Sequence, residues 1–242
     1  MDKINYIRES DFINSEVSNS KSKYIFKKKD TLSYLIFDFL SKLGTKVVFL
    51  VPGGGNMFLV DAVGRHPDIK CVCTHNEQSA VIAAEAYSRL NKGIGVALVT
   101  TGPGATNSIT GISGAWIDSI PLLVISGQVK TEDINFDKKL RQKGPQEIDI
   151  VSMVKGITKY TKTIMNSNNI VQELNKIFNL ATTGRPGPCL IDIPLDIQSK
   201  EVEIPSSYNC RFNHSRNSVN SSNSKIQKTI TKKILKAKKP LF

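Results

Sequence analysis

The sequence predicts an α/β fold, a doubly wound and mostly parallel sheet of about six strands, on three observations. Short runs rich in β-branched residues, most of them apolar, recur at 47–51, 70–74, 95–100, 122–126, 158–163 and 189–193. Runs that are continuously apolar, rather than alternating, mark strands covered on both faces. Most of the runs are separated by stretches with helical spacing, long enough for right-handed crossovers between parallel strands. Several of the runs end in glycine turns, as at Pro52-Gly53-Gly54-Gly55 and Gly102-Pro103-Gly104.

Each element follows in order. Residues 1–29 are rich in Asn, Ser and Lys without sustained periodicity and read as a loosely ordered extension. Asp30 is expected to cap a helix to about Lys42, with Leu32, Leu35, Ile36 and Leu40 on one face and Gly44 closing it. Further helices are expected near 56–65, at 76–90 with Ala80, Ala83, Ala84 and Tyr87 at helical spacing, from Gly102 to about 118, near 146–153 and near 169–182. The segment 128–144 is polar and irregular. One domain therefore runs over 30–198, and 199–225 reads as a linker, its core from 206 to 224 dominated by Asn, Ser and Arg. Residues 226–242 carry Ile226, Ile230 and Ile234 as an i, i+4, i+8 stripe with nothing after Phe242 to cover it. This is expected to be the start of a truncated central domain.

Composition excludes several classes. Hydrophobic residues make up 40% and the mean hydropathy is −0.18, ordinary for a water-soluble domain. No apolar run approaches the roughly 18 residues of a membrane span, and the polar N-terminus offers no secretory signal. Cys71, Cys73, Cys189 and Cys210 form no CxxC pair and read as reduced residues of a cytoplasmic protein. The net charge of +12 suggests nucleic acid, but its location argues otherwise. Residues 200–242 hold ten Lys/Arg against two Asp/Glu, whereas 31–199 hold sixteen against fourteen. The basic tail lacks interleaved aromatics and any base-reading motif, so neither nucleic acid nor membrane is expected as a partner.

Three glycine turns are candidates for ligand contact at the carboxyl ends of strands: Pro52-Gly53-Gly54-Gly55, Thr101-Gly102-Pro103-Gly104-Ala105 and Gly184-Arg185-Pro186-Gly187-Pro188. Singly each is weak, because glycine also simply makes turns. None is a GxxxxGK[ST] phosphate loop and no GxGxxG opens a helix. The stretch Thr74-His75-Asn76-Glu77-Gln78-Ser79-Ala80 is more informative. A carboxylate in a first helical turn is favoured by the dipole alone by ~0.3–1 kcal/mol. Glu77, however, follows an apolar strand and opens an alanine-rich helix, which sets it in the ligand crevice. His75 could contact a ligand or bond locally. Cys71 and Cys73 are expected in the core, Trp116 as a packing residue, and His66 and His214 have no partner at metal-ligand spacing.

Five segments in order carry a resemblance: Val51 to Asn56, His75 to Arg89, Val96 to Asn107, Ile120 to Gln128 and Gly184 to Pro194. Over about 30–198 the chain resembles the pyrimidine-binding domain of thiamine-diphosphate enzymes of the acetolactate synthase kind. The resemblance implies thiamine diphosphate as cofactor, with Glu77 hydrogen-bonded to a ring nitrogen of the aminopyrimidine. It implies that Pro52, Gly53 and Gly54 form the loop near the thiazolium and substrate. Gly102, Pro103, Gly104 and Asn107 resemble the turn beside the cofactor. Gln146 matches a glutamine beside the acceptor substrate, although Pro145 precedes it where typical acetolactate synthases carry an aromatic.

The implied reaction decarboxylates a 2-oxo acid such as pyruvate and condenses the product with a second 2-oxo acid, in branched-chain amino acid biosynthesis. Mg2+ is expected through a Gly-Asp-Gly segment of a C-terminal domain; that segment is absent here, and no metal ligand is assigned to this chain. FAD is common in the family but has no assigned residue. The family's site lies between protomers of a homodimer or tetramer, so the chain by itself is expected to be inactive. A subunit of a split 2-oxo-acid decarboxylase and a non-catalytic binding module with a basic tail remain as alternatives.

Overall fold

The computed structural model describes residues 29–91, 93–137, 140–205, 208 and 224–238. Residues 1–28 of the expected extension at 1–29, most of the expected linker, Cys210 and His214 lie outside the described residues.

The chain runs through β1 (Lys29–Thr31), α1 (Leu32–Lys42), β2 (Val47–Leu50), α2 (Met57–Gly64), β3 (Lys70–Cys73), α3 (Glu77–Asn91), β4 (Gly95–Val99), α4 (Pro103–Asn107), α5 (Ile109–Asp118) and β5 (Leu122–Gln128). It continues through α6 (Ile150–Val154), β6 (Tyr160–Thr163), α7 (Ile170–Thr182), β7 (Pro188–Pro194), α8 (Leu195–Gln198), β8 (Glu201–Glu203) and α9 (Ser224–Lys236). Six strands form one sheet in the order β3-β2-β4-β5-β7-β6, every pair parallel. Strands β4, β5 and β7 are buried at every position, and their sequences are correspondingly apolar apart from Ser126, Gln128 and Asp192.

Helices cover both faces. One core joins α1, α2 and α7 to the sheet through Leu32, Ile36, Phe39, Leu59, Leu174 and Ile177. The other joins α3, α5 and α6 through Val81, Ala84, Ile112, Ala115, Ile150 and Val154. From β2 the chain moves outward to β3, then crosses back to β4 on the other side of β2. The loops leaving β2 and β4 diverge at this reversal, and open α/β sheets bind ligands at such a switch point.

Several elements depart from the expectations, some for a local reason and some through a distant partner. Thr31, not Asp30, caps α1, its hydroxyl accepting from Tyr34 N at 3.2 Å. Asp30 instead meets Arg65 in a bidentate pair at 2.8 and 2.5 Å. β1 pairs antiparallel with β8, so regular structure continues past 198. The helix expected from Gly102 to about 118 divides at buried Ser108, whose hydroxyl donates to Ala105 O at 2.5 Å. The helix expected from about 146 starts at Ile150, because Gln146 has φ +59°, in the left-handed region that breaks a right-handed helix. Asp149 caps it, accepting from Ser152 N at 3.0 Å.

Cys73 is exposed at the end of the edge strand and so is not a core residue, Cys71 is half-buried against the core, and Trp116, 40% exposed, stands beside Gly187. His66 is buried, stacked on Tyr34, with Nδ1 accepting from Asp68 N. The stripe Ile226, Ile230 and Ile234 on α9 is 40–52% exposed. No described helix is long and apolar enough to cross a membrane.

Candidate functional site

The crevice at the carboxyl ends of β2, β3 and β4 is assembled by glycines at which backbone must approach other atoms. A Cβ on Gly53 would lie 2.6 Å from Thr100 Oγ1, and one on Gly55 would lie 1.8 Å from Thr101 Oγ1. The loop after β2 is thereby seated against the turn after β4. Gly55 N donates to Thr100 Oγ1 at 3.2 Å, and Asn56 folds the loop on itself by accepting from Gly53 N at 2.8 Å. From below, buried Gln198 donates to Gly55 O and Ile193 O, both at 2.7 Å.

Glu77 is the first residue of α3, with Asn76 as the cap that accepts from Ser79 N at 2.8 Å. Its half-buried carboxylate accepts from Asn107 Nδ2 through Oε2 at 2.9 Å. The other oxygen, Oε1, stands 3.1 Å from where a Gly104 Cβ would be. Gly104 and Asn107 are three residues apart on α4 and so share a face. One oxygen is thus held while the other overlooks bare backbone, a cradle that any side chain at 104 would fill. A carboxyl held this way can accept or return a proton at one defined oxygen.

The neighbouring face of α4 borders a second feature. A groove of about 390 Å³ is lined by Gly102, Pro103, Thr106, Gln142, Gln146, Glu147 and Ile148. Gly102 has φ +66°, and a Cβ there would lie 2.2 Å from Gln146 O, so the 146 backbone rests directly on the turn. Gly102→Ala combines left-handed strain with a backbone clash and is expected to destabilise the fold by about 2–3 kcal/mol. Equilibrium urea unfolding measures it; a midpoint equal to that of the unsubstituted protein contradicts the packing described.

Of the sequence-derived candidates, Glu77, Gly104 and Asn107 form one contact set, Gly102 and Gln146 a second, with Pro103 lining the groove between α4 and residue 146. Gly53 belongs to the loop contact with Thr100, whereas Pro52 and Gly54 are exposed and a Gly54 Cβ would meet nothing within 4 Å. The third glycine turn is a correction. It precedes β7, so it lies at the amino ends of the strands, where Gly187 packs near Lys159 and Trp116 and Arg185 donates to Ser119 Oγ. His75 is exposed. Among the described residues no three His, Cys, Asp or Glu side chains converge as metal ligands.

Sequence reasoning missed Thr100, Gln128 and Asp192, polar residues whose partners come from distant segments, and Glu147, whose backbone partners lie 3 to 12 residues before it. Asp192 on β7 is fully buried; Oδ2 accepts from Gln128 Nε2 at 2.9 Å and Oδ1 has no partner among the described residues. Burial pushes its pKa up to about 7, against the hydrogen bond from Gln128. Between the unfolded value near 4 and about 7 the folded state therefore holds the extra proton. Stability from this group is complete below that window and is lost as pH rises through 7. The difference in Tm between Asp192→Asn and the unsubstituted protein is expected to shift in favour of the variant from pH 5 to pH 8. A pH-independent difference contradicts the assignment.

Comparison with known proteins bears on the same residues. Residues 30–153 match the family model described as thiamine pyrophosphate enzyme, N-terminal TPP binding domain. The acetolactate synthase large subunit of Lactococcus lactis subsp. lactis (strain IL1403) is 35% identical over 220 residues, 91% of this chain and 37% of that protein. Acetolactate synthase isozyme 3 large subunit of Escherichia coli (strain K12) is 42% identical over 162 residues, 67% of this chain and 27% of its own length. The chloroplastic acetolactate synthase of Arabidopsis thaliana is 38% identical over 172 residues, 71% of this chain and 25% of that protein. The chain therefore spans little more than a third of these relatives at most.

Proposed function

The chain belongs to the thiamine pyrophosphate enzyme family, through its N-terminal TPP binding domain, and on that premise we propose that it forms the pyrimidine-binding part of an acetolactate synthase-like enzyme. The observation that carries the reading is the Glu77 carboxylate, tied at Oε2 by Asn107 and open at Oε1 above Gly104. When bound, thiamine diphosphate supplies a carbon acid that adds to a 2-oxo acid and takes up the electrons released with CO2. With the cofactor bound, Glu77 Oε1 would hold or return a proton toward a ring nitrogen of the aminopyrimidine, which would make the exocyclic nitrogen available as base. Asn107 keeps the carboxylate from turning away, and Gly104 lets the ring lie close to the α4 backbone. The loop of Pro52, Gly53 and Gly54 borders the reacting end, and Gln146 the acceptor.

From the family resemblance, the diphosphate and its Mg2+ are assigned to a second domain that faces this one across a homodimer or tetramer interface. FAD, if the enzyme carries it, is assigned outside these residues. The described cysteines Cys71, Cys73 and Cys189 are free thiols, which supports a reducing, cytoplasmic setting. The complete enzyme, supplied with pyruvate, thiamine diphosphate and Mg2+, is expected to form acetolactate. Cofactor binding without any acetolactate sinks the substrate assignment and spares the cofactor.

A further inference from the structure

The groove residue Gln146 is the one described non-glycine besides Ser119 with positive φ, at +59°. Such a conformation costs an ordinary side chain of order 1–2 kcal/mol and persists only where its surroundings impose it. The next residue supplies the imposition. The Glu147 carboxylate accepts three backbone N–H groups: Asn135 N at 2.5 Å through Oε1, and Lys143 N at 2.7 Å and Gly144 N at 3.2 Å through Oε2. Both ends of the segment 135–147 are thus drawn onto one side chain. Gly144 is pressed against Val129, where a Cβ would lie 2.8 Å from Cγ1. The far side is tied to the sheet, because Gln128 Nε2 donates to Ile148 O at 3.0 Å as well as to Asp192.

We infer that Glu147 is a positioning residue, whose carboxylate gathers the Asn135, Lys143 and Gly144 amides to hold Gln146 in its left-handed conformation at the groove, and so sets recognition of the second substrate. The inference rests on the proposed cofactor and carboligation reading for its consequence, but its structural half stands apart from that reading. An amide oxygen accepts where a carboxylate does, yet the NH2 of Gln cannot accept. Glu147→Gln therefore leaves at least one of the three amides without its partner. Asp at this position keeps the charge but is one methylene too short to reach all three.

The test uses the complete enzyme with three variants, Glu147→Gln, Gln146→Gly and the double substitution. Hydrogen–deuterium exchange of the peptide covering 134–148 reads the loop without turnover. Exchange of the cofactor's C2 proton reads the Glu77 half of the site, and acceptor KM reads the groove. Glu147→Gln is expected to lower protection of the 134–148 peptide at least tenfold and to raise acceptor KM about tenfold. C2 exchange should stay within twofold of the unsubstituted enzyme, which also shows that the variant folds. Gln146→Gly should raise KM similarly, and the double variant should be no worse than either, because both act through one amide. Unchanged protection overturns the inference, as does an additive double variant or a loss of C2 exchange equal to the loss of carboligation. Absence of C2 exchange in the unsubstituted enzyme overturns the cofactor reading itself, and with it the role given to Gln146.

Discussion

Glu77→Gln in the complete enzyme is expected to slow exchange of the thiazolium C2 proton by at least about 10²-fold, within the range for loss of a positioned acid–base group. Affinity for thiamine diphosphate should change little. Glutamine keeps the length of the side chain and an oxygen for Asn107 Nδ2, which now bonds Oε2 at 2.9 Å. It leaves Gly104 and the loop contacts untouched. What it cannot do is hold or return a proton at Oε1. The substitution therefore separates two explanations of a glutamate at a helix start. A carboxylate that only complements the dipole contributes ~0.3–1 kcal/mol to stability and nothing to proton exchange. Proton exchange at the unsubstituted rate in Glu77→Gln, with the cofactor bound, would falsify the assignment.

The second large effect is expected at Gly104. A methyl group there would stand 2.6 Å from Thr100 Cγ2 and 3.1 Å from Glu77 Oε1. Thr100 cannot simply rotate away, since its hydroxyl accepts from Gly55 N and its other atoms abut Gly53. Gly104→Ala should therefore destabilise by about 1–3 kcal/mol, the usual cost of overpacking, and displace the Glu77 carboxylate. C2 exchange should fall roughly tenfold or more, since proton transfer depends on hydrogen-bond reach. A second substitution separates the two consequences. Thr100→Ser removes Cγ2 while keeping the hydroxyl, so Thr100→Ser/Gly104→Ala should recover most of the stability and little of the exchange rate. Recovery of both together would show that Gly104 matters only for packing.

Local signals in the sequence were reliable where the chemistry itself is local. The buried strands β4, β5 and β7 are legible because a strand covered on both faces is mostly apolar, with Ser126, Gln128 and Asp192 the exceptions. Glu77 is legible because helix start and strand end lie within a few residues of it. Three of the misses share one cause, that the deciding neighbour or placement lies far along the chain. Asp30 looks like a cap until Arg65, 35 residues on, claims it. Cys73 follows the strand pattern inward, but β3 is the sheet edge, where its end is exposed. The turn at 184–188 resembles the other two glycine turns in composition, and only its place before β7 sends it to the opposite end of the sheet.

Composition and periodicity were sufficient for an α/β layering and for glycine turns at strand ends, because solvent exclusion and backbone sterics act residue by residue. The order of those strands was not contained in any local pattern. It arises when β3 is laid outside β2 and β4 returns on the other side, which opens the switch point between β2 and β4. That crossover brings Glu77 to Asn107, 30 residues later, while the segment after β5 returns to set Gln146 against Gly102. A hydrogen bond or a sub-van der Waals approach between distant segments depends on packing geometry that single-residue preferences do not encode. The candidate residues were therefore readable one by one, whereas their division into a carboxylate cradle and an adjoining groove required the folded sheet.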